Sequence, residues 1–268
     1  MPRVEIFNWN PRRSRLPLSL TRRLPIDIGR RINNFGDLLG PLIVARILAM
    51  HQVDPTSAPR DRRLLSVGSV LHFARDHDVI WGTGVNGKKD PDSDYLFSTL
   101  DVRAVRGPRT RDFLSSRGVT APAIFGDPAL LLPLLAPELV SCSGAKQYAL
   151  TIVPNFNDLS SYKSASTILD PRSPMDVCLR RIARSEFVTG SSLHAIVVAE
   201  SLGIPARLIS SPIESPFKYE DYYLGTGRAN AEVAQTAEEA VRMGGEHGPI
   251  FDASQLLDAF PLDLWRNS

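Results

Sequence analysis

The stretch Phe187-Val-Thr-Gly-Ser-Ser-Leu-His-Ala-Ile-Val-Val-Ala-Glu-Ser-Leu-Gly-Ile-Pro-Ala-Arg-Leu-Ile209 decides the fold. A short β-rich run at 187–189 passes through Gly190 into a helical run from Ser192 to Leu202. Gly203 stops that helix, and a second β-rich run, Ala206 to Ile209, follows. Strand, helix and strand in this order make a parallel pair, and a parallel sheet is buried on both faces. Ser191 is the natural N-cap, which puts His194 at the third helical position, facing out beyond the strand's carboxyl end.

The same rhythm extends outward on both sides. Strands are expected at Val4–Trp9, Leu64–Val67, Asp78–Trp81, Val102–Val105 and Tyr148–Val153. Helices are expected at Asp37–Met50 with Pro41 in the first turn, at Pro108–Ser116 ended by Gly118, and at Met175–Ser185 with Ser173 as N-cap. Ala229–Met243 reads as an amphipathic helix and Ser254–Phe260 as a shorter one. Pro133, Pro137, Ser141, Ser143 and Gly144 mark a composition break near 136–146. The expectation is an α/β protein of two doubly wound, Rossmann-like domains facing a cleft, 1–140 and 141–268, the second carrying the C-terminal helices.

Composition agrees with a globular chain. Of 268 residues, 43% are hydrophobic and 22% charged, which excludes a disordered chain, collagen and a coiled coil. Two cysteines, Cys142 and Cys178, are too few for a disulfide scaffold or a four-ligand zinc site. No apolar run of about 18 residues exists, and Met1–Phe7 has no leader-like apolar core. A cytoplasmic setting is expected. The net charge of +2 hides an asymmetry: seven arginines fall between Arg12 and Arg31, whereas the chain beyond residue 220 is acidic. An arginine-rich loop at 11–33 suits an anionic surface, so peripheral contact with the inner face of a membrane is an expected partner. It lacks interleaved aromatics, so nucleic acid is not.

Ligands of open α/β sheets bind beyond strand carboxyl ends, so those turns hold the candidate residues. Gly82-Thr-Gly84-Val-Asn-Gly87 matches a dinucleotide fingerprint only formally, because Lys88-Lys-Asp-Pro91 cannot open the helix that the pyrophosphate needs. Arg106, before the helix start at Pro108, suits a carboxylate or phosphate. Ser191, Ser192 and Leu193 offer backbone N–H groups to an anion, and His194 beside them can move a proton. Asn34 and Asp37 suit sugar hydroxyls. Asp127, in Gly126-Asp-Pro, caps a turn or lines the cleft. His72, Asp76, His77 and Asp78 lack a recognised ligand spacing, so no metal site is expected.

Taken in order, Asn34-Phe-Gly-Asp37, Val105-Arg-Gly-Pro-Arg-Thr-Arg111, Phe125-Gly-Asp-Pro-Ala-Leu-Leu-Leu-Pro133, Thr189-Gly-Ser-Ser-Leu-His-Ala-Ile196 and Ser201-Leu-Gly-Ile-Pro205 resemble the polysaccharide pyruvyl transferase family, in particular its short exopolysaccharide-type members. The resemblance implies a GT-B-like pair of domains, the first on the acceptor side and the second on the donor side. It implies a transferase that moves the enolpyruvyl unit of phosphoenolpyruvate onto a sugar of a polysaccharide, oligosaccharide or glycolipid, forming a pyruvate ketal and releasing phosphate. No organic cofactor or metal is implied; phosphoenolpyruvate is a co-substrate, and the sugar acceptor can be lipid-linked.

In the family an arginine of the Arg-Gly-Pro motif and the Leu-His pair contact the donor, which implies Arg106, Leu193 and His194 here. Members often carry arginine directly before Leu-His, where this chain has Ser192. Arg109, Arg111 and Lys218 are the cations in view to replace it. His194 is expected to transfer the proton, with Arg106 clamping the donor and Asp37 and Asp127 holding or deprotonating the acceptor. A nucleotide-sugar glycosyltransferase and a non-catalytic module binding anionic glycans or membranes are the alternatives. The first would use a glutamate of the second half, and Glu200 sits far from its helix's N-terminus.

Overall fold

A computed structural model describes residues 3–13, 30–59 and 61–266. Most of the arginine-rich loop, 14–29, lies outside them. In chain order, β1 (Val4–Phe7) leads to a short ribbon of β2 (Arg12–Arg13) and β3 (Arg30–Arg31), then α1 (Phe35–Met50), β4 (Arg62–Leu65), β5 (Val79–Trp81), β6 (Asp101–Ala104) and α2 (Pro108–Ser116). A 3-10 turn at Pro128–Leu131 runs into α3 (Leu132–Leu135) and α4 (Pro137–Ser143). The second half holds β7 (Tyr148–Ile152), α5 (Met175–Ala183), β8 (Ser185–Gly190), α6 (Leu193–Ser201), β9 (Ala206–Leu208), α7 (Phe217–Gly225), α8 (Ala237–Met243) and α9 (Ala253–Asp258).

Two parallel sheets result. The first has the order β1-β4-β5-β6 and the second β7-β8-β9, while β2 and β3 pair antiparallel. Val105 adds a parallel bridge to Phe125 beside the first sheet. Helices cover the strands, as parallel pairing requires. No helix among the described residues is long and apolar enough to cross a membrane.

The two sheets share one apolar core. It joins Leu39, Ile43 and Trp81 of the first half to Val188, Ile196 and Val198 of the second. Helix α6 is its centre. Leu193, Ala195, Ile196, Val197, Val198 and Ala199 are all buried, against β8 and β9 on one side and the Pro128–Leu131 turn on the other. A helix apolar all round must be covered all round. Each buried Leu, Ile or Val contributes roughly 1.5–3 kcal/mol.

The composition break at 136–146 holds α4, which packs on α5. Three sequence expectations need correction. The cap of α5 is Pro174, one residue later than expected, and Ser173 lies upstream in a turn in which its N–H donates to the Asp170 carbonyl. The cap of α6 is Ser192, because the Ser191 hydroxyl is taken by Asp158 at 2.5 Å. The tail is helical only from Ala237, because Ala234 upstream pairs in parallel with Ile209, beside β9.

Gly190 closes β8 at φ +133, and a Cβ there would lie 2.1 Å from the Val153 carbonyl oxygen. Gly118 has φ +75 with open space around it. Gly190→Ala is therefore expected to lose more stability than the roughly 1–2 kcal/mol that a left-handed alanine costs, while Gly118→Ala loses only about that amount. Urea unfolding of the two variants checks the contrast.

Candidate functional site

A cavity of about 540 Å³ opens between the halves, with Asn34, Asp37, Ser69 and Lys88 on one wall and Asn155, Ser192, His194 and Lys218 on the other. His194 marks its floor. From Ser191 to Glu200 every residue is buried except His194. The histidine sits at the second position of α6, where the N–H groups of Leu193 and His194 have no intrahelical acceptor. Its ring lies on the backbone of Gly36: a Cβ on that glycine would be 2.2 Å from Nδ1. Only glycine at the start of α1 lets the two helices meet this closely.

His194 Nε2 lies 3.7 Å from Asp127 Oδ2, and neither buried atom has a hydrogen-bond partner. Asp127 Oδ1 is occupied, accepting the Ala129 N–H at 2.9 Å as cap of the 3-10 turn. The His194 side chain is 13% exposed. Burial, with the charges of Lys218 and Arg106, lowers the imidazole to about 3, so the histidine is neutral. Burial raises Asp127 to about 6, against the Ala129 N–H and Arg106. Asp37 is also raised to about 6 by burial, although Asn34 Nδ2 donates to it at 2.7 Å. Two carboxyls that exchange protons near neutrality thus flank a neutral imidazole.

The cations are arranged otherwise than the sequence suggests. Arg106 is 1% exposed, and its nitrogens are engaged: Nε donates to Asp221 Oδ2 at 3.0 Å, Nη1 to Ser69 Oγ at 2.6 Å and Nη2 to the Val85 carbonyl at 3.0 Å. Ser69 stands between it and the groove, so Arg106 acts on His194 and Asp127 through its charge. Asp221 also accepts from the Thr110 N–H and hydroxyl, tying α2 to α7. Arg109 pairs with exposed Glu220 and lines a second cavity of about 500 Å³, while Arg111 pairs with Asp112 at the surface. Neither reaches the groove.

Lys218 does, and Lys88 joins it. Sequence reasoning had Lys218 in view but missed Lys88, Glu214 and Asn157, which meet Lys218 from separate loops. Their nearest signal was the Gly82–Gly87 turn that carries Lys88. Trp9 and Phe73 stand at the groove's mouth, and Trp9 meets Phe156 edge-on at 6.4 Å. Ser191 lies just behind, bonded to Asp158 and accepting the Asn155 N–H, so it shapes the loop at 155–158. Glu200 is buried in a pair with Arg228 and accepts from Tyr222, at the other end of α6. The arrangement can hold an anion against two ammoniums and a helix N-terminus, with acid and base groups beside it.

Asp221→Ala strands the Arg106 charge in the interior, and the expected cost is about 3–5 kcal/mol in urea unfolding. His194 supplies a pH test. Below pH 6.5 the unfolded chain takes up a proton that the folded imidazole refuses until about 3, so this group's contribution to stability falls as pH drops through that window. The stability of the wild type relative to His194→Gln is expected to fall with a slope approaching 1.4 kcal/mol per pH unit, as an order of magnitude, between pH 6 and pH 4. A flat difference means that His194 titrates normally.

Comparison with known proteins adds to this geometry. The chain is 27% identical over 171 residues to the succinoglycan biosynthesis protein ExoV of Rhizobium meliloti, a match covering 59% of this chain and 52% of that protein. The chain thus spans about half the length of this curated relative. Among solved structures, an uncharacterized protein of Klebsiella pneumoniae matches over 83% of this chain and 87% of its own, with a TM-score of 0.46 and 13% identity. The family model for polysaccharide pyruvyl transferase matches residues 34–212, from the asparagine at the start of α1 to the loop beyond β9. Both groove-forming helix starts, at Asn34 and Ser192, lie inside that match, and the chain belongs to the polysaccharide pyruvyl transferase family.

Proposed function

We propose that the protein transfers pyruvate from phosphoenolpyruvate to two hydroxyls of a sugar in a polysaccharide or its lipid-linked precursor, giving a cyclic ketal and phosphate. Family membership supports the reaction class, and one observation carries the mechanism: His194 is the one residue of 191–200 that is not buried, and it lines the groove with Asp37 and Lys218 while buried Asp127 lies 3.7 Å from its Nε2. In this reading the halves 1–140 and 141–268 act as GT-B-like acceptor and donor sides. Residues 11–33 would hold the enzyme to the membrane that carries its acceptor.

The donor carries close to three negative charges. Lys218, Lys88 and the N–H groups of Leu193 and His194 suit its phosphate and carboxylate. Lys218 thereby replaces the arginine absent at Ser192. A bound anion beside the imidazole raises its pKa, which makes His194 an acid where the empty site keeps it neutral. Protonated Asp127, 3.7 Å away, is the proton's source. The proton goes to the methylene carbon, giving a methyl group and an oxocarbenium-like centre. One sugar hydroxyl attacks that carbon and gives its proton to Asp37. The carbon–oxygen bond to phosphate then breaks, and a second hydroxyl closes the ketal while its proton leaves with the phosphate side. Phosphoenolpyruvate and a diol become a ketal and phosphate with no other reactant.

The test is phosphate release from phosphoenolpyruvate in the presence of a panel of oligosaccharides and lipid-linked sugars, with calorimetry for donor binding. Turnover with one acceptor class is expected. His194→Ala is expected to lose about 10²–10⁴-fold in kcat, and Lys218→Met to raise the donor KM about 10- to 100-fold. Binding of a nucleoside diphosphate with none of phosphoenolpyruvate would replace this reading with glycosyl transfer.

A further inference from the structure

The groove's two lysines share a carboxylate that the mechanism above does not use. Glu214 Oε1 accepts from Lys88 Nζ at 2.5 Å and from Asn157 Nδ2 at 2.8 Å, and Oε2 accepts from Lys218 Nζ at 2.8 Å. Its side chain is 6% exposed. The donors come from three places: the turn after β5, the loop after β7 and helix α7. Three N–H donors converging on two oxygens from both halves of the chain is the geometry of an oxyanion site. We propose that Lys88, Lys218 and Asn157 form a binding site for a phosphate or carboxylate group, that the empty protein fills it with its own Glu214 carboxylate, and that the incoming anion displaces that carboxylate. The identity of the anion as the donor's rests on the function proposed above; the site itself does not.

Charge gives the first reason. Lys218 is 12% exposed, and burial lowers its pKa, so an unpaired ammonium there is unfavourable. Glu214 lets the empty groove keep both lysines charged. Burial alone would raise its carboxyl, but Lys218, Lys88 and Asn157 hold it down to about 2, so it is ionised throughout the working range. A phosphate entering beside that carboxylate would meet like charge at close range. Exchange removes the repulsion and leaves two ammoniums facing one dianion.

Space gives the second reason. Glu214 lines both the groove and the second cavity of about 500 Å³ on the other side of the 210–216 loop. A glutamate rotating about its own side-chain bonds has somewhere to go. The loop has no helix or strand, its tip at Ile213 is exposed, and Ser211 Oγ holds it by accepting the N–H groups of Ile213 and Glu214.

Calorimetric titration of the full chain with inorganic phosphate and with phosphoenolpyruvate tests the exchange. Glu214→Gln removes the competing charge, so both anions are expected to bind it at least about tenfold more tightly than the wild type, and Lys88→Met to bind them more weakly. Phosphate binding to Glu214→Gln that is unchanged or weaker, in a variant that melts cooperatively, overturns the proposal and makes Glu214 a fixed structural partner. If the glutamine variant does not melt cooperatively, Glu214→Asp takes its place: its shorter carboxylate cannot span both lysines, tighter binding is expected, and equal or weaker binding overturns the proposal. Tighter phosphate binding with no wild-type turnover of phosphoenolpyruvate upholds the oxyanion site and counts against the assigned reaction.

Discussion

Helix α6 imposes the constraint on which the site depends. Its sequence, Leu-His-Ala-Ile-Val-Val-Ala, has no polar face to give to water, so β8 and β9 cover one side and the Pro128–Leu131 turn covers the other. Covering it from both halves leaves little freedom for them to slide. The same packing sets the chemistry. Asp127, which caps the covering turn with one oxygen, is brought to His194 with the other. Gly36, at the start of α1, is pressed onto the ring's other nitrogen. His194 and its neighbours are therefore positioned by core packing, and rotation of His194 would disturb helix α1.

Electrostatics in the groove follows from that burial. An imidazole closed in by apolar helix and backbone, near Lys218 and Arg106, stays neutral. Two carboxyls in the same surroundings are raised to about 6. In the reaction proposed above, a bound anion would raise the imidazole pKa, so that donor binding and proton transfer would be coupled by a single charge interaction. Arg106 contributes from behind Ser69, held by Asp221, so the guanidinium that the sequence places at the strand end sets the local potential.

The alternation of strands and helices was legible because parallel sheets need apolar strands and amphipathic or buried helices, and the chain writes both plainly. Five ordered motifs named the family, and the strand-end rule pointed to His194, Asp37 and Asp127, of which His194 and Asp37 line the groove while Asp127 is buried beside His194. What failed was what depends on distant partners. Arg106 lies at a strand end as read, but Asp221, 115 residues on, takes its donors. Ser191 looked like the better cap until Asp158 claimed its hydroxyl. The stretch after Ala229 has helix-forming residues, yet pairing beside β9 overrides that preference. Lys88 and Glu214 meet across 126 residues, each in a loop with no local signature.

The most direct test is a crystal structure of the chain grown with phosphoenolpyruvate. The central claim is that both halves serve one anion site at the start of α6. The expected result is the anion seated between Lys218, the Leu193 N–H and the His194 ring, with its methylene carbon toward the imidazole. Density for the anion at Arg109 in the second cavity, with the groove's lysines still on Glu214, would contradict it.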